Sequence, residues 1–375
     1  MSRIPRLRSV VTSRLIAWAV AAVAVGSGLG PAPLSAQDLY QGRVATRLSP
    51  EFYDWHRYQA TPFFTRYMKP DGRIFDPENG GISHSESQAY GMAIAFAADA
   101  PETFDLVWEW TRKTLRNPDG LHAWKYDPYQ GVVDRNNATD ADLIIAAMLS
   151  LAAKRWNRGD YLAFAAETAQ ALGNAVLVDH QGYVVMLPGR QGFMPPSQPD
   201  GPVINLSYYH FDMMQIVADL APNQPWRQAI EAGWVFYERV LAEWNPSDWT
   251  SVRDPNHPVP AQNFAKRSSY DAIRAPINIL SVEWAAHPQI LDIIDNRFEQ
   301  NGGLPGIYDP VSRQRTGNLT NSGYRIIAAA IDCVADGNPV PLELLNFRPE
   351  TYFGSALHLM VIHQLYTKHP NCIRL

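Results

Sequence analysis

The stretch Ala138-Thr-Asp-Ala-Asp-Leu-Ile-Ile-Ala-Ala-Met-Leu-Ser-Leu-Ala-Ala153 decides the fold. Its two acids stand at the start, and from Leu143 onward no face carries a charge. A helix that is apolar all round is buried all round. At about sixteen residues it is too short to span a bilayer, which takes roughly 20 apolar residues, so it must lie inside a soluble core.

Working outward, the same uncharged kind of segment recurs at Ser87 to Ala98, Ser207 to Leu220, Ala272 to His287, Gly323 to Cys333 and Tyr352 to Tyr366. Between them lie amphipathic segments. In Trp226 to Trp244, Trp226, Ile230, Phe236 and Val240 share a stripe opposite Arg227, Glu231, Glu238 and Arg239, and Phe104 to Arg116 reads alike. Such helices cover a core while facing water. Glu51 to Met68, Tyr161 to Val178, Pro288 to Gln300 and a short piece near Leu342 to Asn346 are further covering candidates. Six buried and six covering helices in alternation predict an all-α protein, an (α/α)6 barrel of six inner and six outer helices. The rival is an irregular pair of helical domains. The Pro/Gly-rich stretch Pro188 to Pro202 is the best candidate boundary, but the alternation continues on both sides and predicts a long surface loop in one domain, 37–375.

The N-terminus differs from the rest. Arg3, Arg6, Arg8 and Arg14 precede an apolar run from Leu15 to Val25, and Leu34-Ser35-Ala36 follows. This pattern predicts a secretory signal peptide over 1–36, with an uncleaved anchor as the alternative, hence a periplasmic or secreted protein with no membrane attachment after cleavage. Its removal takes four Arg and no acid from a chain of net charge −5, leaving −9 on 339 residues. With no basic cluster, nucleic acid is excluded as a partner. Cys333 and Cys372 are two thiols in a chain bound for an oxidising compartment, and the sequence leaves their pairing open. No His/Cys pattern has metal-ligand spacing, so neither metal nor cofactor is expected.

Polar residues out of keeping with buried helices gather at those helices' N-terminal ends: Glu86, Asp140, Tyr208 and Tyr209, Asp271, Tyr324 and Tyr352. Singly, an acid there is a cap or a first-turn partner of the helix dipole. Caps need no aromatics, however, and in a parallel inner shell these ends meet in one mouth. Carboxylates protonate a glycosidic oxygen and activate water, while flat rings stack on sugar faces. Trp124, in the loop-like setting His122-Ala-Trp-Lys-Tyr126, is such a ring, although a Trp is more often core. Asp140-x-Asp142 also reads as a metal-ligand pair of a nucleotide-sugar transferase, but no phosphate-binding glycine turn or parallel-strand pattern accompanies it.

These residues match a family. Ser85-Glu86-Ser-Gln88-Ala-Tyr90-Gly91-Met92 resembles the acid motif of glycoside hydrolase family 8, Ser-Glu-Gly-Gln-x-Tyr-Gly-Met. Ala138-Thr139-Asp140-Ala141-Asp142 with the apolar run to Trp156 resembles that family's longer signature, and Ser269-Tyr270-Asp271-Ala272-Ile273-Arg274 its base-carrying segment. Met186-Leu-Pro-Gly189, Asn205-x-Ser-Tyr208 and Trp249 follow suit, so the likeness runs from about Gly72 to Met360, and it is greatest to periplasmic endoglucanases encoded with bacterial cellulose synthases. Two positions depart from the pattern: Ser87 stands where Gly is usual, where it would crowd a sugar beside Glu86, and Leu206 where Pro is usual.

The resemblance implies an inverting endo-β-1,4-glucanase acting on cellulose-like polysaccharide or oligosaccharide, in functional association with a cellulose synthase complex. It implies Glu86 as general acid, Asp271 as general base, Asp140 on the distorted sugar, and Arg274 orienting Asp271 or holding substrate. Trp124, Tyr208 and Tyr352 would line the cleft. An anion such as Asp140 should raise the pKa of Glu86, and the Arg274 guanidinium should keep Asp271 ionised. Xylan or chitosan are rival substrates, and a glycan-binding assembly protein is the rival from another class. A pure binder has no use for an acid paired with a base.

Overall fold

In the computed structural model the described residues are 50–243, 246–282, 294 and 304–373. The signal peptide expected over 1–36, and the helix expected over Pro288 to Gln300 save Ile294, lie outside them.

Eleven helices are present among the described residues. They are α1 (Pro50–Tyr67), α2 (Ser85–Ala97), α3 (Pro101–Thr114), α4 (Thr139–Trp156), α5 (Gly159–Val176), α6 (Phe211–Leu220), α7 (Trp226–Glu243), α8 (Ala275–Leu280), α9 (Ser322–Asp336), α10 (Leu342–Leu345) and α11 (Tyr352–Lys368). The uncharged segments form an inner ring: α2 packs on α4, α4 on α6, α6 on α8, α8 on α9, α9 on α11, and α11 returns to α2. The amphipathic ones lie outside, α1 against α11 and α2, α3 against α2, α5 against α4 and α6, α7 against α6, and α10 against α9. The architecture is the expected (α/α)6 barrel.

Local chemistry sets the ends of these helices. Helix α4 opens on Asp140 and Asp142 and closes on Lys154 and Arg155, each sign at the favourable end of the helix dipole, and Asn157 ends it in the left-handed region. Helices α9 and α11 approach backbone to backbone near their starts, where a Cβ on Gly323 would stand 1.7 Å from the Gly354 carbonyl oxygen. Any side chain at Gly323 forces these two inner helices apart. Cys333 on α9 is bonded to Cys372 beyond α11, with Cα atoms 5.8 Å apart, so the two thiols do pair.

Three features differ from the sequence reading, each at the mouth of the barrel. Short antiparallel strands decorate the connections, and one of these small sheets joins β1 (Ser83–His84), β2 (Ala123–Asp127) and β3 (Gly131–Asn137). Trp124 therefore lies on a strand and not in a loop; the Asp127 carboxylate accepts from the Tyr129 and Gln130 N–H groups to turn β2 into β3. The helix expected from Ser207 begins only at Phe211, because the Asn205 side chain accepts from the Ser207 N–H and hydroxyl and draws Leu206–Tyr208 into a 3-10 turn. The helix expected from Ala272 begins as a 3-10 turn, Ala272–Arg274, and becomes α-helical at Ala275, with Pro276 in the first turn where its missing N–H costs nothing. Pro188 to Pro202 carries neither helix nor strand, as its composition predicts.

Candidate active site

Arg274 organises the site. It is 4% exposed, and one guanidinium nitrogen donates at 2.8 Å to the Asp140 carboxylate and at 2.8 Å to the Tyr90 hydroxyl, while the other donates to the Asp271 carboxylate. One planar cation thus joins the start of α4, the interior of α2 and the turn leading into α8. Its plane also lies over two rings, 5.3 Å from the centre of Tyr208 and 5.8 Å from that of Phe353.

Asp140 is sealed at 0% exposure, whereas the side chains of Glu86 and Asp271 are 18% and 25% exposed. The two carboxyl groups that reach solvent are therefore the two expected to act as acid and base. Glu86 projects from the first turn of α2, held by a capping box: the Ser87 N–H donates to His84 Nδ1 at 3.0 Å, and the His84 N–H donates to Ser87 Oγ at 3.1 Å. The Ser87 hydroxyl also donates to the His84 and Ile74 carbonyls and is fully buried, so it turns into the protein and does not crowd a sugar beside Glu86.

Asp271 is positioned by a residue the sequence reading passed over. Asp248, 1% exposed, accepts from the Ser269 and Ala272 N–H groups at 2.7 and 3.1 Å, from Arg267 at 3.2 Å and from the Ser269 hydroxyl. It fastens the segment on both sides of Asp271. It stands in an irregular stretch without periodicity, and the only sequence signal is an acid beside Trp249. The rings of Phe193, Trp249 and Phe264 stack nearly parallel, 4.6 Å separating the last two, and Trp249 meets Tyr208 edge-on at 6.3 Å. Phe193 and Phe264 were also missed; aromatics in Pro/Gly-rich loops were the clue.

The remaining candidates stand further out. Trp124 lies on β2, whose partner strand β1 pairs Ser83 with Tyr126 and His84 with Lys125 and then runs into Glu86. Tyr352 has no exposed face: its ring is 0% exposed and packs edge-on against His84 at 5.9 Å and Tyr67 at 5.7 Å, so it backs the cleft and offers no stacking surface. Asp142 does not converge with Asp140. Its two oxygens are taken by the His122 N–H and ring at 3.1 and 2.7 Å and by the Asn137 amide at 3.0 Å, all in the core.

The electrostatics differ from the sequence expectation on both candidate carboxyls, Glu86 and Asp271. Burial pushes Glu86 up, but the His84 imidazole 3.4 Å away and the Arg274 cation draw it down further, and the net direction is below the usual carboxylate range. Asp140 takes the opposite course, pushed up to about 7 by burial and by the Glu86 charge against the pull of Arg274. The two carboxyls titrate as a pair, Glu86 drawn down and Asp140 pushed up. For Asp271, burial outweighs Arg274 and raises the carboxyl; that makes it a stronger base.

Comparison with known proteins shows the family to which this carboxylate and guanidinium cluster belongs. Residues 45–369 match the family described as glycosyl hydrolases family 8. The chain belongs to that family. A probable endoglucanase of Novacetimonas hansenii is 34% identical over 308 residues, covering 80% of this chain and 87% of that relative. The structure of endo-beta-1,4-glucanase CMCax from Acetobacter xylinum superposes with a TM-score of 0.73 at 32% identity, covering 84% of this chain and 99% of the other. Endoglucanase Cel10 from Klebsiella pneumoniae superposes with a TM-score of 0.72 at 28% identity over 84% of this chain and 98% of that one. As a family 8 member, the protein is a glycoside hydrolase. No helix among the described residues is long and apolar enough to cross a membrane.

Proposed function

We propose that the protein is an inverting endo-β-1,4-glucanase that cuts internal bonds of cellulose-like chains, with Glu86 as general acid and Asp271 as general base. The observation that carries this reading is the Arg274 bridge, which ties Asp271 and Asp140 together while leaving Asp271 and Glu86 as the solvent-reached carboxyls of the cluster. The Glu86 O–H gives its proton to the glycosidic oxygen as the bond from that oxygen to the anomeric carbon breaks. A water attacks that carbon from the opposite face and surrenders a proton to Asp271. The products are two shorter chains, the new reducing end carrying the inverted configuration. Asp140, sealed beneath, is assigned to the sugar at the cleavage point; Arg274 orients Asp271, and Tyr208 and Trp124 flank the chain.

The relatives named endoglucanases support glucan over xylan or chitosan as the substrate. Reducing-sugar release from carboxymethylcellulose, xylan and chitosan in parallel tests the choice. Turnover confined to carboxymethylcellulose is expected, and turnover confined to either of the others overturns it.

The proposal includes a single catalytic domain from residue 37 onward, exported by cleavage of 1–36. The Cys333–Cys372 bond supports an oxidising destination, the periplasm or the exterior. A fusion of residues 1–36 to a reporter that matures only after export reads this directly. A role beside a cellulose synthase belongs to the same proposal; loss of the gene should change the amount or crystallinity of cellulose made, and unchanged cellulose rejects it.

A further inference from the structure

An inverting glycosidase ends each cycle with its acid deprotonated, and the acid must be reloaded before the next chain is cut. In this site Glu86 has a titratable neighbour that the reaction above does not use. His84 Nδ1 stands 3.4 Å from the Glu86 carboxylate and 3.0 Å from the Ser87 nitrogen. That nitrogen carries one lone pair. While Nδ1 is unprotonated it accepts from the Ser87 N–H and caps α2, and Glu86 then carries the pair's mobile proton. Once Nδ1 is protonated it has no lone pair for the cap, and its N–H faces Glu86.

We propose that His84 is a positioning residue for the general acid, holding at Nδ1 the proton that Glu86 delivers and returning it to Glu86 after each cleavage. The proposal rests on Glu86 being the acid. The proton count closes: Glu86 loses its proton to the leaving oxygen, Asp271 releases to solvent the proton it took from the attacking water, solvent returns one proton to His84 at Nδ1, and Nδ1 passes it to the Glu86 carboxylate and resumes the cap. His84 is itself 16% exposed, enough to exchange with solvent. Binding an uncharged sugar expels water, which disfavours the imidazolium–carboxylate form and drives the proton onto Glu86 as the glycosidic oxygen arrives.

The groups facing His84 agree with this role. Glu86 on α2, Asp76 from the preceding turn and Asp140 on α4 all favour a proton on the ring, against its burial, and the net shift is upward from 6.5. Lys125 is the cross-strand partner of His84 on β2, its ammonium lying over the Trp124 ring, and the rings of His84 and Tyr352 meet in a T-shaped contact. The imidazole therefore keeps a proton available at a pH where Glu86, drawn below the usual carboxylate range, would have lost its own.

The test is the pH dependence of kcat/KM on soluble β-glucan for His84→Asn, whose side-chain oxygen can still cap α2 but carries no exchangeable proton in this range. The basic limb should move to lower pH, so that between pH 5.5 and pH 8 the variant loses roughly tenfold more activity than the wild type. His84→Thr, another capping residue, should behave alike and serves if His84→Asn folds poorly. Ser87→Ala breaks the other half of the capping box and should lower thermal stability while leaving the limb in place. A limb unmoved in His84→Asn and His84→Thr overturns the proposal, as does an equal displacement in Ser87→Ala. Glu86→Gln, assayed alongside, separates the two readings: if it is active, the assignment of the acid has failed, and if it is inactive while the His84 variants keep the wild-type limb, only the role of His84 has.

Discussion

Arg274 donates to Asp140 at 2.8 Å with solvent reaching almost nothing of either side chain, and the same guanidinium holds Asp271 on its other nitrogen. Two acids, one opening α4 and one in the turn leading into α8, are thereby fixed to one cation inside a low-dielectric centre. Removing one member of a buried pair leaves an uncompensated charge, which typically costs about 3 to 5 kcal/mol. Arg274→Met should therefore lower stability by an amount of that order and abolish turnover. Arg274→Met combined with Asp140→Asn should recover part of the stability and none of the activity. Chemical denaturation of the three proteins measures it, and equal loss in the single and double variants contradicts the bridge as the source.

Glu86→Gln is nearly isosteric and cannot give a proton. Hydrolysis of unactivated glucan should fall by on the order of 10² to 10⁴ while folding and oligosaccharide binding persist. Stopped assays with isothermal calorimetry on the same preparation check both halves, and near-normal turnover rejects the assignment.

Trp124 is half-buried on β2, on the strand beside the one that leads into Glu86. Trp124→Ala should weaken oligosaccharide binding by roughly 1 to 3 kcal/mol, the scale of a lost stacking ring. If the variant instead melts earlier but binds normally once folded, the ring belongs to the core.

Much of this was legible in sequence because the barrel repeats one contrast, uncharged helix against amphipathic helix, and a uniformly apolar segment such as Ala141 to Ala153 has few places to go. The acids stood out for the same reason, since Glu86 and Asp140 interrupt otherwise apolar runs. Legibility failed where long-range partners decide local structure. Asp248 gains its meaning only from Ser269 and Ala272, some twenty residues on. The late start of α6 hangs on one Asn205 side chain, and the strand under Trp124 depends on pairing with β1 and β3. Proton positions were the least legible. Asp140 was read as an anion that would raise Glu86, whereas His84, two residues before Glu86 and never singled out, draws the acid down while Asp140 takes the upward shift.

His56 on α1 and His363 on α11 face one another in the core, with ring centres 5.6 Å apart, and both nitrogens of His56 are buried without a hydrogen-bond partner. Burial lowers His56 from 6.5 to about 4 and pushes His363 well below 6.5. Between pH 6.5 and pH 4 the unfolded chain therefore takes up protons that the folded chain refuses. The stability these groups contribute is full above 6.5 and falls as the pH drops through that window, by on the order of 3 kcal/mol for His56 alone. His56→Phe should flatten the dependence of Tm on pH in this range, and an unchanged slope places the acid sensitivity elsewhere.

The central claim is that Asp271 acts through a water while Glu86 protonates the leaving oxygen. Room for that water requires the two carboxyl groups to stand about 6.5 to 9.5 Å apart in the complex, against roughly 5 to 5.5 Å for direct attack. Proton NMR of the anomeric region during the first minutes of β-glucan hydrolysis reads the outcome before mutarotation mixes the signals. Initial release of the α-anomer is the predicted result, and initial release of the β-anomer, or a glucosyl ester trapped on Asp271, would contradict the account.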